Sequence, residues 1–156
     1  MRNLLLLSLL SLLLSSCGPG YLYEENYDLD EAGWTYTDTL NFQFTIDDTL
    51  ALYNLYLEVD HTTDYSYQNL YTQIHTQFPS GERKSQVVSL ELADKTGAWQ
   101  GDCRGDQCRF LAPIQANAFF NEPGTYVFTL EQYMRRSPVT GLNRIGFKLE
   151  ETGEKR

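Results

Sequence analysis

The sequence predicts an all-β protein: a single antiparallel β-sandwich, jelly-roll-like, of about eight strands, preceded by a signal peptide and a flexible tether. Three observations carry this prediction. Apolar residues recur at every second position in five separate runs and share one face of a sixth, the period of strands with one buried and one wet face. Clusters of Gly, Pro, Asp and Ser fall between those runs, where chains turn. No segment beyond the leader carries a convincing amphipathic-helix pattern, and one-sided alternation is the habit of antiparallel sheets.

Taken in order, residues 1–16 form a signal peptide. Arg2 supplies the positive start, Leu4 to Leu14 the apolar block, and Ser15-Ser16 the small residues before a cut. The block is too short to span a bilayer, which takes about 20 residues. Cys17 directly after Leu14-Ser15-Ser16 is a lipobox, the pattern at which bacterial lipoproteins are cut and acylated. Each buried methylene contributes about 0.8 kcal/mol and two or more chains anchor stably, so Cys17 is the expected lipidation site. Residues 17–33 then read as the lipidated cysteine and an acidic tether, ending Asp28-Leu29-Asp30-Glu31-Ala32-Gly33. Fully extended at ~3.3 Å per residue, such a tether reaches roughly 50 Å.

The sandwich domain is expected over residues 34–150. Leu40, Phe42, Phe44 and Ile46 alternate with polar residues, as do Tyr53, Leu55, Leu57 and Val59. Leu70, Ile74 and Phe78 share one face of a third strand, with Tyr71, Gln73 and His75 on the other. Pro79-Ser80-Gly81 turns that strand into the next, through Val88, Leu90 and Leu92. Tyr126, Phe128 and Leu130 mark a later strand, and Ile145, Phe147 and Leu149 the last. Shorter strands are expected around Trp99 and Phe110. Residues 151–156 read as a C-terminal tail.

Composition narrows the function classes. Cutting before Cys17 leaves about 140 residues, enough for one domain with its own core. Loss of Arg2 takes the net charge from −9 to −10. That acidity argues against nucleic acid, whose phosphates are bound by Lys and Arg. It argues equally against electrostatic docking on anionic lipid, which leaves membrane attachment to the acyl chains on Cys17. The 11 tyrosines suit half-buried pleated surfaces, where a ring packs while its hydroxyl stays wet.

Little catalytic chemistry is legible. Cys103 and Cys108 lie five apart in an exported chain, so a local disulfide is the first reading. A zinc site there would need further thiol or imidazole ligands, and none lie nearby. Phosphate-loop, nucleophile-elbow and His-Glu-x-x-His motifs do not occur. Asp60, His61 and Asp64 are the best acid–base or metal candidate, since carboxylates beside an imidazole orient it or share a cation. They fall where a strand gives way to a turn, which favours these residue types anyway. No catalytic residue, metal or cofactor is therefore expected, nor a small-molecule ligand. The outward faces are more suggestive. Tyr56 and Glu58 lie on one wet face, and Tyr71, Gln73 and His75 on another. Tyrosines among amides serve a protein interface or stack on sugar rings, or they simply stabilise cross-strand pairs on a solvated sheet.

The run from Tyr53 to Tyr71, through His61-Thr62-Thr63-Asp64-Tyr65-Ser66-Tyr67-Gln68-Asn69, followed by Phe78-Pro79-Ser80-Gly81, resembles the gliding-motility lipoprotein family GldH. Further matches follow in the family's order. They are Gly97-Ala98-Trp99-Gln100-Gly101, Pro123-Gly124-Thr125-Tyr126, Glu131-Gln132-Tyr133-Met134-Arg135 and Ile145-Gly146-Phe147. Asp60 departs from the basic residue the family often places before this histidine, and the Cys103–Cys108 loop looks particular to this chain. No role is transferred to either feature. The resemblance implies a non-enzymatic envelope lipoprotein of Bacteroidetes-type bacteria, facing the periplasm. It would serve gliding motility and the associated type IX secretion with other gliding-machinery lipoproteins. The alternative is a lipoprotein that binds peptidoglycan or polysaccharide through its tyrosine faces.

Overall fold

The computed structural model describes residues 20–156. The signal peptide and Cys17 lie outside them. Nine strands make up the described residues: β1 (Tyr23–Asp28), β2 (Leu40–Ile46), β3 (Ala51–Thr62), β4 (Asn69–Gln77), β5 (Arg83–Glu91), β6 (Asp102–Arg104), β7 (Gln107–Ala118), β8 (Gly124–Gln132) and β9 (Leu142–Lys155). One sheet has the order β1-β9-β3-β7-β6 and the other β2-β8-β4-β5. All pairings are antiparallel. With the three-residue β6 set aside, eight strands remain, and they interleave between the two sheets as in a jelly roll.

The alternation read from the sequence fills the space between the sheets. Phe42, Leu57, Ile74 and Phe128 all point inward and are buried. Phe44 sits 5.0 Å from Phe128, and Phe128 is 5.0 Å from Phe147, ring centre to ring centre. Such aromatic pairs add about 0.5–1.5 kcal/mol each beyond the area they bury. The Pro79-Ser80-Gly81 turn joins β4 to β5 as expected, and the Gly81 amide donates to the Phe78 carbonyl at 2.9 Å.

Four details depart from the sequence reading. Residues 23–28 of the expected tether are a strand. Tyr23 and Tyr27 turn their rings onto Phe147 and Phe42, while Glu24 and Asp28 reach Lys148 and Arg144 of β9. The acids are held by neighbours more than a hundred residues away, so local composition resembled a solvated linker. The expected tail also belongs to the sheet, because β9 runs to Lys155 and the Arg156 amide still donates to the Leu50 carbonyl. Phe110 lies in a strand of 12 residues, β7. Pro113 is tolerated there because β6 covers β7 only as far as Arg109, leaving an edge beyond it. Trp99 makes only an isolated bridge to Ala93.

The disulfide expected between Cys103 and Cys108 is present and joins facing residues of the β6–β7 hairpin. Gly105 opens the two-residue turn of that hairpin at φ 64°, a conformation glycine adopts without strain. Nearby, Gly101 lies so close to β7 that a Cβ there would collide with the Arg109 carbonyl oxygen.

Candidate functional site

The two sheets present outward faces of opposite character. On the five-stranded sheet, Glu58 is only 6% exposed. The Lys148 Nζ lies 2.8 Å from its carboxylate and 2.9 Å from that of Glu24. The Tyr21 ring lies 5.0 Å from the same ammonium. Burial works against the Lys148 charge, but the two carboxylates outweigh it and raise the pKa above the ordinary lysine value. Arg109 donates to both carboxylate oxygens of Asp60, at 2.8 and 2.7 Å. Tyr56 donates its hydroxyl to Glu150 at 2.9 Å and meets Tyr21 edge-on. This face is closed by its own ion pairs, and Glu58 is not on the wet surface the sequence suggested.

The charged hollow beside the disulfide, about 410 Å³, is of the same kind. Arg104, Arg109 and Arg144 there are each paired, with Asp102, Asp60 and Asp28 respectively.

Asp60, His61 and Asp64 do not converge. The two-residue period sends the Asp60 carboxylate to the outer face and the His61 ring into the interior. His61 is fully buried, its ring centre 4.6 Å from that of Trp99, and its Nδ1 lies 2.9 Å from the Thr62 carbonyl. Among the described residues its Nε2 has no hydrogen-bond partner. Asp64 is exposed in the following turn.

The outward face of the four-stranded sheet is different. Tyr71, Gln73 and His75 stand along β4, opposite Ser89, Val87 and Ser85 of β5. The His75 Nδ1 lies 2.6 Å from the Ser85 hydroxyl, and its Nε2 lies 3.5 Å from Glu131. Among the described residues, Tyr71 and Gln73 make no such side-chain bond. Tyr71 is 43% exposed, Val87 48% and Tyr133 54%. With Tyr67, Asn69, Met134, Arg135 and Arg136 they line a hollow of about 580 Å³. Tyr56, which the sequence places on a separate face, is on the other sheet.

Buried Gln132 fastens the segment that forms one wall of this hollow. Its Oε1 accepts the Met134 amide at 2.9 Å and its Nε2 donates to the Arg136 carbonyl at 3.2 Å. The Tyr133 amide donates to the Tyr71 carbonyl at 2.8 Å, and the Met134 sulfur accepts the Tyr71 amide at 3.2 Å. The chain leaving β8 is thereby fixed against β4, with Tyr133, Arg135 and Arg136 at the rim. Among the described residues, neither arginine has a carboxylate partner. The sequence reading missed these three residues because they follow the strand and so carry no alternation. The signal was the pairing of two arginines with a tyrosine in an acidic chain.

The model of the family described as GldH lipoprotein matches residues 21–149. The chain belongs to the GldH lipoprotein family. The match runs from just before β1 to within β9, so it covers nearly all of the sandwich, the hollow included. A relative in Christiangramia forsetii, named gliding motility lipoprotein GldH homolog, is 26% identical and aligns over 90% of both chains. Gliding motility lipoprotein GldH of Flavobacterium johnsoniae is 22% identical, over 96% of this chain and 97% of its own. Among solved structures, the Yersinia pseudotuberculosis-derived mitogen covers 76% of this chain at 5% identity with a TM-score of 0.28, too slight a likeness to carry an argument.

Proposed function

We propose that this GldH-family chain is a non-enzymatic envelope lipoprotein that serves gliding motility and the associated type IX secretion through protein contacts. Acyl chains on Cys17 hold it to the membrane, facing the periplasm, and its partners are other lipoproteins of the gliding machinery. The observation that carries the contact reading is the hollow on the four-stranded sheet. An otherwise acidic protein exposes Tyr71 and Tyr133 there, beside two arginines with no carboxylate partner among the described residues. Exposed tyrosine and arginine are the residue types that dominate interface energy. The opposite face satisfies its charges internally and offers a partner little to gain.

The test replaces Tyr71 and Tyr133 together by Ser in the intact gene. Gliding and secretion are expected to fail while protein level and melting temperature stay near wild type, since both side chains are surface-exposed. A folded double variant that glides normally defeats the contact reading. In the same strains Cys17→Ala is expected to lose labelled palmitate and leave the membrane fraction. A glycan-binding reading draws on the same tyrosines with Asn69, because rings and an amide also suit sugars. Retention on peptidoglycan or polysaccharide that disappears in the tyrosine variant favours it instead.

A further inference from the structure

The edge of the four-stranded sheet holds a second feature. The β4–β5 pairing runs without a register shift from Asn69↔Glu91 to Gln77↔Arg83. Its phase is set at both ends, where the Phe78 amide donates to the Glu82 carbonyl at 2.9 Å and the Leu92 amide to the Gln68 carbonyl at 2.8 Å. Hydrogen-bonded pairs alternate along an antiparallel ladder. The backbone groups of Arg83, Ser85, Val87, Ser89 and Glu91 therefore point away from β4. Among the described residues no strand takes them. Val88 and Leu90 face inward, so the same five residues also carry their side chains on the outer face.

An open edge of this length is a template for another strand. The other edges are less suitable. The β7 edge carries Pro113 and, at Asn117, a left-handed kink with φ 50°. The Asn41 carbonyl of β2 is taken by the Tyr27 hydroxyl at 2.6 Å. β1 holds Glu24, Glu25 and Asp28 and no cation. β5 has neither a proline nor a bulge.

We infer that β5 pairs antiparallel with β5 of a second copy of this chain, centred on Val87. Charge and register both select that occupant. Turned about Val87, the strand places Arg83 opposite the second copy's Glu91, Ser85 opposite its Ser89, and Val87 opposite its Val87. Each is a pair whose backbone groups already point outward, so the ladder continues without adjustment. The opposite charges meet twice, once at each end. A parallel pairing in register sets Arg83 on Arg83 and Glu91 on Glu91, which like-charge repulsion disfavours. The contact is isologous and closes on itself, so it makes a dimer rather than a fibre. It joins two four-stranded sheets into one of eight and leaves the two tyrosine hollows flanking the seam.

Cross-linking of the full-length lipoprotein in its own membrane tests this. Facing residues of a hydrogen-bonded antiparallel pair have Cα atoms about 5.5 Å apart, within disulfide reach. Val87→Cys under copper-phenanthroline oxidation is expected to give a reducible band at twice the protomer mass. Thr45→Cys, exposed on β2 at the other edge of the sheet, is expected to give none. Adding Arg83→Glu to Val87→Cys should reduce the dimer band at least tenfold, and adding Glu91→Arg to that variant should restore it. Protease resistance of each variant confirms that it is folded. A folded Val87→Cys protein that stays monomeric overturns the inference. So does a dimer band that the Arg83 and Glu91 changes leave unaltered, because the pairing then does not use this register.

Discussion

The outward faces of the two sheets differ in how their polar groups are satisfied. On the five-stranded sheet, Lys148 bridges Glu58 and Glu24, and Arg109 clasps Asp60. Those side chains are committed to one another. On the four-stranded sheet, Tyr71 and Tyr133 stand exposed, and among the described residues Arg135 and Arg136 lack acidic partners. One face spends its polar groups on stability, and the other keeps them available for association. Alternating patterns that look equivalent in the sequence thus end in different roles.

The largest test of this contrast is Lys148→Met. Removing one member of a buried pair leaves Glu58 only the Arg109 guanidinium at 4.0 Å, so the variant should lose about 3 kcal/mol. Replacing Glu58 by Leu as well should recover most of that loss, because apolar packing substitutes well for a buried ion pair. Denaturant unfolding of both variants supplies the comparison. A single variant as stable as wild type shows that this face is no more committed than the other.

A smaller effect is expected at the disulfide, which staples only the β6–β7 hairpin at the edge of the five-stranded sheet. Changing Cys103 and Cys108 together to Ser should cost about 1–2 kcal/mol, given so short a closed loop. Thermal melting of the double variant measures it, and gliding should persist. A loss as large as that of Lys148→Met contradicts the assignment of stability to the ion-paired face.

The pH dependence sharpens the same comparison with the smallest effects. The raised pKa of Lys148 means that its contribution is complete below the unfolded-state value and disappears as pH rises through the folded one. Asp94 works in the opposite direction. The Thr96 hydroxyl first, then the amides of Ala98 and Thr96, hold its carboxyl below the ordinary carboxylate range. Its contribution is therefore present above about pH 3.9 and is lost as pH falls through the folded value. Melting temperatures should decline at both extremes. Lys148→Met should remove part of the alkaline decline, and Asp94→Asn a slight part of the acid one. Unchanged limbs in the two variants rule out these groups as the source.

Much of the sandwich was legible because burial follows a two-residue period. Spacing alone turns Phe42, Leu57, Ile74 and Phe128 inward, and all four are buried. What the period does not encode is the identity of a face's neighbours. Tyr56 and Tyr71 alternate alike but belong to different sheets. Glu58 reads as wet until Lys148, ninety residues later in the chain, is laid across it. Residues 23–28 were hidden for the same reason, since their acids find cations only in β9. The hollow was half visible. Tyr71 came from strand spacing, whereas Tyr133, Arg135 and Arg136 depend on Gln132 fastening an irregular segment.

The early start of the fold has a mechanical consequence. The Leu22 amide already donates to the Leu149 carbonyl at 2.8 Å, only five residues beyond Cys17. Five residues span at most ~18 Å. If Cys17 is acylated as proposed, the anchor would mount this end of the sandwich on a stub rather than a leash. On that proposal the domain's orientation to the bilayer would be restrained, and force applied to a docked partner would pass into the lipid through β1 and β9 with little slack to take up.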